Sequence, residues 1–327
     1  MMTQPSHHRW PVWPLLLAIP LVVAGALLAG AAGLPDWQTL LGRAVLELRW
    51  HRILTGFVVG AGLAGAGVVM QALLRNPLAE PYVLGVSSGA GLGAALAVFF
   101  GWSVVHIWAV PAAAFVTGLA TLTVVYLLAA RGGGASIYSL LLSGIIVSAV
   151  LSNLLMLIVS LAPAEGMHSI LWWILGNLQL SAQPLLLTGS VLVLGSLVIL
   201  TVLGRQLNAL TLGREAAHHL GVRTGLMIAG CLVLATLLAA TAVALAGLIG
   251  FVGLIVPHAA RAWVGPDHRK LPAVAAVIGG LFLVICDTVA RTIIAPQEIP
   301  IGVVTALVGG PFFLALLLRR RKGGWIE

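Results

Sequence analysis

The chain is partitioned into long apolar runs, and that partition dictates its solvent before anything else about it. The runs fall at about 14–34, 52–74, 85–101, 107–130, 137–161, 184–204, 225–246, 248–263, 272–294 and 299–318. Each approaches the roughly 20 residues that cross the hydrocarbon core of a bilayer as a helix. Backbone N–H and C=O groups find no water there, so runs this long must satisfy themselves as α-helices; they are far too long for barrel strands. Composition agrees. The chain is 60% hydrophobic and 8% charged, against about 25% charged for a soluble domain. An all-α integral membrane protein of about ten transmembrane helices is expected, a single domain over 1–327 with no soluble domain. The first run follows Arg9 and contains small residues of the kind a signal peptidase cuts, but its length and the spans after it favour an uncleaved helix.

The net charge of +8 has a membrane explanation rather than a nucleic-acid one. With the tail 1–13 inside, the cytoplasmic segments hold Arg9, Arg75, Arg131, Arg205, Arg214, Arg223, Arg261, Arg269, Lys270, Arg319, Arg320, Arg321 and Lys322. The other side holds Arg43, Arg49, Arg52 and Arg291. Lys and Arg accumulate on the cytoplasmic side of membrane proteins. Both termini are therefore expected in the cytoplasm, with 319–327 as a basic tail.

Enzyme signatures are missing. There is no G-x-x-x-x-G-K-[ST] or H-E-x-x-H. A G-x-G-x-x-G occurs at Gly60, Gly62 and Gly65, but no strand precedes it, and small residues at such spacing let membrane helices approach closely. Cys231 and Cys286 lie inside apolar runs and read as small core residues. The histidines sit almost entirely in loops or at span ends; His51, His106 and His168 are open to a haem or metal role, though interfacial placement explains them as well. No metal site is expected. Asp287 and Arg291 stand at i, i+4 near the outer end of the ninth run, on one helical face, where charge is costly. They read as a structural ion pair. No ladder of carboxylates crosses the membrane, which weakens an ion-coupled secondary transporter, the alternative of a different class.

Two cytoplasmic loops are unusual. In 205–224, "GREAAHHLG" has the pattern of a short amphipathic helix closed by Gly221. It suits a membrane surface or a cytoplasmic partner equally. In "RNPLAEPYVLGVSSGAGLG" (75–93), Pro77 and Pro81 end the preceding helix, Asn76 can turn the chain, and Ser87 and Ser88 begin the next helix.

The stretches "QALLRNPLAEPYVLGVSSGAGLG" (71–93), "LNALTLGREAAHHLGV" (207–222), "AGLIGFVGLIVPHAAR" (246–261), "GPDHRKLPAVAAVIGG" (265–280) and "CDTVARTIIAPQEIPIGVVTALVGGPFF" (286–313) resemble, in family order, the permease subunits of type II ABC importers for iron–siderophores, haem and vitamin B12. The resemblance covers roughly 45–320. It implies the ten-span permease fold, a second permease copy, two cytoplasmic ATPase subunits that use ATP and Mg, and a periplasmic substrate-binding protein, in a bacterial inner membrane. The chain itself would bind no cofactor and catalyse no chemistry. An iron complex is the expected cargo, with vitamin B12 as the alternative. The family's docking arginines correspond to Arg49, Arg52 and Arg291; its usual Leu-Pro between the first two is Trp50-His51 here. The loop 205–224 corresponds to the coupling helices, with Leu212, Gly213, Glu215, Ala216, Leu220 and Gly221 as ATPase contacts. The cytoplasmic gate and path correspond to Asn76, Pro77, Leu78, Ser87, Ser88, Ser139 and Ser143. Helix packing remains an equal explanation for the serines of the fifth run.

Overall fold

A computed structural model describes residues 13–30, 33–131, 137–178 and 182–321. The tails 1–12 and 322–327, which contain Arg9 and Lys322, lie outside the described residues. Every regular element among the described residues is helical. In chain order these are α1 (Trp13–Leu28), α2 (Leu40–Leu73), α3 (Val86–Phe99), α4 (Trp102–Val105), α5 (Ala109–Ala130), α6 (Ile137–Leu161) and α7 (Ala164–Ile174). They continue with α8 (Gln183–Val202), α9 (Gly204–Thr211), α10 (Arg214–His219), α11 (Thr224–Ala246), α12 (Val252–Val264), α13 (Leu271–Ala290) and α14 (Ile301–Arg321). A single 3-10 turn, Pro81–Leu84, precedes α3.

Six of these, α2, α5, α6, α8, α11 and α13, are long and apolar enough to cross a membrane. The shorter apolar helices are α1, α3, α12 and Ile301–Ala315 of α14. Each of the ten runs seen in the sequence overlaps one of these helices. The chain is a multi-pass membrane protein.

Helix α2 is the axis of the bundle. It packs most extensively against α13, then α11, and also against α12 and α8. Its most apolar stretch is 83% buried, against 17% for α6, which leaves a broad face of Leu142, Ile145, Ile146, Val150 and Leu154 uncovered. Glycine makes the central crossings possible. A Cβ on Gly60 would lie 2.2 Å from the Gly279 carbonyl oxygen, and one on Gly279 would lie 2.4 Å from that of Gly60. Lower on α2, a Cβ on Gly67 would fall 2.0 Å from the Gly253 oxygen of α12. Backbone meets backbone at these points, so the G-x-G-x-x-G pattern serves helix packing.

Two elements depart from expectation. Helix α2 starts at Leu40, twelve residues before the expected edge, so Arg49 and Arg52 stand on a helix rather than in a loop. Thr39 caps it by accepting from the Gly42 N–H at 3.0 Å. His51 keeps the backbone N–H that a proline would lack, and the helix runs through Trp50-His51 unbroken. Helix α7 was not foreseen. It is short, starts after Pro163 and buries only Ile170 and Trp173 among its eleven residues, too weak a pattern to stand out beside a long apolar run.

Candidate functional site

The polar groups gather at the two ends of the bundle. At one end the last turn of α1, the first half of α2, the end of α13 and the segment 291–300 meet. Arg49, Arg52 and Arg291 come together here, as the sequence suggests, but they do not share one role. Arg49 is 6% exposed. Its guanidinium donates to the carbonyls of Leu27 (2.7 Å), Leu28 (3.1 Å) and Gly33 (2.9 Å). The last carbonyls of a helix have no partner within it, and a cation there also meets the negative end of the helix dipole. Arg291 is 4% exposed and donates to the Ala26 carbonyl. These two arginines fasten the end of α1 to the core. Both side chains point inward here.

Of these three arginines Arg52 is nearest the surface, with its side chain 12% exposed. Its Nε donates to Asp287 at 2.7 Å, and its Nη1 reaches both oxygens of Glu298 at 3.1 and 2.9 Å. Asp287 is 2% exposed and is also 3.5 Å from the Arg291 Nε. The i, i+4 pair read from sequence is present, yet the shorter contact of Asp287 is to Arg52 on another helix. No sequence signal marked Glu298, which sits in a connecting segment, or the partnership across 235 positions of chain.

At the opposite end, the connection from α2 to α3 is tied down at several points. The Asn76 side chain accepts from the Leu78 N–H at 3.0 Å, which forms the expected turn after α2. Pro77 and Leu78 are half-buried. Glu80, unremarked in the sequence, accepts from the Phe251 N–H at 2.7 Å and so locks this connection to the start of α12. Burial pushes the Glu80 carboxyl above its usual range, against the lowering effect of that hydrogen bond. Gln71, in the last turn of α2, ties that helix to α12: it donates to the Gly253 and Leu254 carbonyls and accepts from Arg261 Nη1 at 2.5 Å.

Two of the four serines make contacts between helices. Ser88 on α3 lies 3.0 Å from Ser152 on α6, and the Ser139 hydroxyl donates to the Ala129 carbonyl of α5 at 3.2 Å. Ser87 and Ser143 are half-buried. No three His, Cys, Asp or Glu side chains converge on a common point among the described residues.

The loop 205–224 folds into α9 and α10, separated by Leu212 and Gly213. Gly213 has φ +115 and Gly221, which closes α10, has φ +82. Ala209, Leu210 and Ala217 turn inward and pack on Leu73, Met227 and Ile228. Leu212 and Leu220 stand 66% and 63% exposed, with Glu215 and Gly221 also exposed, Ala216 half-buried and Gly213 buried. A groove of about 750 Å³ runs between α9 and α11, lined by Arg205, Ala209, Leu220, Arg223 and Leu226. An added Cβ on Gly213 would lie 3.3 Å from the Arg75 guanidinium, so this loop and the α2–α3 connection touch.

Asn208 fixes α9 to the α12–α13 connection. Its amide donates to Asp267 at 2.8 Å, and its carbonyl oxygen accepts from the His268 N–H at 2.9 Å. His268 Nδ1 is 2.8 Å from the same oxygen, so Nδ1 carries the proton. Hydrogen bonds from Arg269 and Asn208 hold the Asp267 carboxyl well below the usual carboxylate range. Burial, helped by the nearby Arg261 charge, pushes the His268 imidazole down to about 4, with Asp267 opposing. The folded protein therefore prefers neutral His268. Its contribution is full above the unfolded value near 6.5 and declines as pH falls toward 4, by about 3 kcal/mol at most. The thermal midpoint in detergent should fall over that window in wild type more steeply than in His268→Gln.

Comparison with known proteins adds the following. Residues 16–319 match the FecCD transport family. The chain is 37% identical over 319 residues to the hemin transport system permease protein HmuU of Yersinia pestis, covering 94% of this chain and 95% of that one. It is 41% identical over 318 residues to the cobalamin import system permease protein BtuC of Halobacterium salinarum, covering 95% and 80%. Among solved structures, an inward-facing conformation of a metal-chelate type ABC transporter matches with TM-score 0.86 and 34% identity, covering 94% of this chain and 98% of that one.

Proposed function

The chain belongs to the FecCD transport family, as a transport subunit rather than an enzyme and as a permease of a type II ABC importer, and from that premise we propose that it carries an iron complex, a ferric siderophore or haem, across a bacterial inner membrane. The observation that carries the cargo reading is the likeness over nearly the whole chain to a hemin permease. Cobalamin is the second reading, favoured by the likeness to a cobalamin permease. In the proposed assembly two copies of this chain enclose the pathway, two ATPase subunits lie below and a substrate-binding protein docks above. ATP and Mg are used by the ATPase alone, and both termini lie on the ATPase side.

The binding protein docks at the end holding Arg52, whose charge recognises a carboxylate on the partner; Arg49 and Arg291 hold the underlying α1–α13 platform in place. Charge-assisted pairs of this kind orient a partner and speed encounter. The α2–α3 connection around Asn76, Pro77 and Leu78 closes the pathway at the other end together with α6, Ser87, Ser88, Ser139 and Ser143 lying along it. The ATPase grips α10 through Leu212, Gly213, Glu215, Ala216, Leu220 and Gly221. Leu212 and Leu220 are more than 60% exposed, and Leu220 lines a groove together with Leu226, so the two leucines make sense as knobs for a partner's cleft.

The test is reconstitution of the chain in liposomes with its ATPase and binding protein. ATP-dependent uptake of radiolabelled ferric siderophore or haem supports the iron reading; uptake of cobalamin alone replaces it with the second. Leu212→Glu with Leu220→Glu should weaken ATPase capture by about tenfold or more, because a carboxylate cannot enter an apolar cleft unpaired. Yield and thermal midpoint should stay unchanged, since neither leucine packs in the core. Undiminished capture would move the coupling contact elsewhere.

A further inference from the structure

The groove between α9 and α11 lies where two neighbouring spans end. Helices α8 and α11 pack on each other. Arg205 follows the last residue of α8 by three positions, and Arg223 immediately precedes α11. Both arginines line the groove, and both are exposed. Neither has an ion pair or a side-chain hydrogen bond among the described residues, and no acidic side chain lines the groove. Arg223 also stands at the N-terminus of α11, where amides without a helical acceptor add positive potential. The rest of the lining is mostly apolar and continues into the spans. Leu226 and Val233 are exposed on α11, and Val198 and Val202 on α8. Between Leu226 and Val233, on the same helical face, stands Gly230, where an added Cβ would meet nothing within 4 Å. Its missing side chain leaves a notch in the groove wall.

We propose that this groove binds an anionic phospholipid, with its phosphate between Arg205 and Arg223 and an acyl chain along the notch at Gly230. Charge selects the headgroup. Two unpaired guanidiniums at the end of a span attract an anionic lipid and offer its phosphate paired N–H donors. Continuity selects a lipid over a free anion or a protein segment. A soluble phosphate gains nothing from an apolar wall. A cytoplasmic segment would not follow that wall into the exposed faces of α8 and α11, both long and apolar enough to cross a membrane. Leu220 and Gly221 close the groove on the α10 side, so the bound lipid braces the loop that the ATPase grips. The proposal rests on the reading above only in taking this end as cytoplasmic, which makes the lipid one of the inner leaflet.

The experiment is native mass spectrometry of the full-length chain released from detergent micelles that contain equal amounts of phosphatidylglycerol and phosphatidylcholine. Wild type should retain phosphatidylglycerol in preference; equal retention of the two lipids overturns the proposal. Arg205→Gln with Arg223→Gln should weaken that retention by about twentyfold, near fivefold for each charge removed. Arg131→Gln, at an exposed arginine that the topology places on the same side, should change nothing. An equal loss there would mean a diffuse attraction to every basic span end and overturns the proposal. Gly230→Leu fills the notch and leaves both arginines in place. It should weaken retention severalfold at an unchanged thermal midpoint. Undiminished retention in Gly230→Leu, or displacement of the lipid by inorganic phosphate alone, would mean an anion site without a lipid and overturns the proposal. Loss of phosphatidylglycerol from wild type when the ATPase is captured would give the groove to the ATPase and overturns it as well. The assignment as a permease stands under each of these outcomes.

Discussion

Gly60→Val is expected to yield no folded protein. The crossing of α2 and α13 is the largest helix contact among the described residues, and Gly60 and Gly279 face each other there through backbone. The first carbon of any side chain on Gly60 would overlap the Gly279 carbonyl at 2.2 Å. That atom is main chain and cannot turn aside. The helices would have to separate by an ångström or more, which would strip contact from Val59, Leu63, Leu283 and Val284 along the same seam. Lipid offers no hydrophobic compensation for packing lost between spans. The expected loss exceeds about 5 kcal/mol, the extreme of single substitutions. Gly225→Ala is the control, since a Cβ there meets nothing within 4 Å. Size-exclusion profiles of fluorescently tagged variants in mild detergent decide it: a monodisperse Gly60→Val at wild-type yield would mean that the crossing tolerates separation.

The outcome also shows which features were legible in the sequence. Apolar run length is a local property fixed by bilayer thickness, so all ten runs could be placed, and the break after α2 followed from Pro77 and Pro81. The patterned loop 205–224 gave its short helix, closed at Gly221 with φ +82 as expected. The start of α2 was missed because helical residues such as Arg43, Glu47 and Arg49 are not apolar, and apolarity was the signal in use. The site was half legible. Arg49, Arg52 and Arg291 stood out as charges on a side that should have few, and the structure does gather them. Their division of labour is a matter of tertiary contact. Arg49 and Arg291 reach carbonyls of α1 that no sequence pattern identifies as unpaired; Glu298 acts through a partner 246 residues away, Glu80 through one 171 away, and Asn208 through partners 59 and 60 away. Isolated polar residues in short connections carry no periodicity from which such pairings could be inferred.

Asp287→Ala is expected to destabilise the protein by about 3–5 kcal/mol, because it strands two arginines that the fold has taken out of water. Arg52 would lose its 2.7 Å contact and Arg291 its only carboxylate among the described residues. Arg52 retains Glu298, so Arg291, 4% exposed, bears most of the penalty, and its hold on the Ala26 carbonyl of α1 weakens with it. Thermal unfolding in detergent should show a large drop for Asp287→Ala and a smaller one for Asp287→Asn, whose carbonyl still accepts. Asp287→Ala with Arg291→Leu should be less than additive, since removing the second charge relieves the first loss. An Asp287→Ala chain as stable as wild type would mean that water reaches this end of the bundle and that the arginines are not held by their counter-ions. The same arithmetic governs any test of docking here. Charge reversal at Arg291 would place a new carboxylate beside Asp287 inside the fold, and loss of binding would then report unfolding. Neutral replacement at Arg52, the least buried of the three, separates recognition of the partner from the integrity of the platform beneath it.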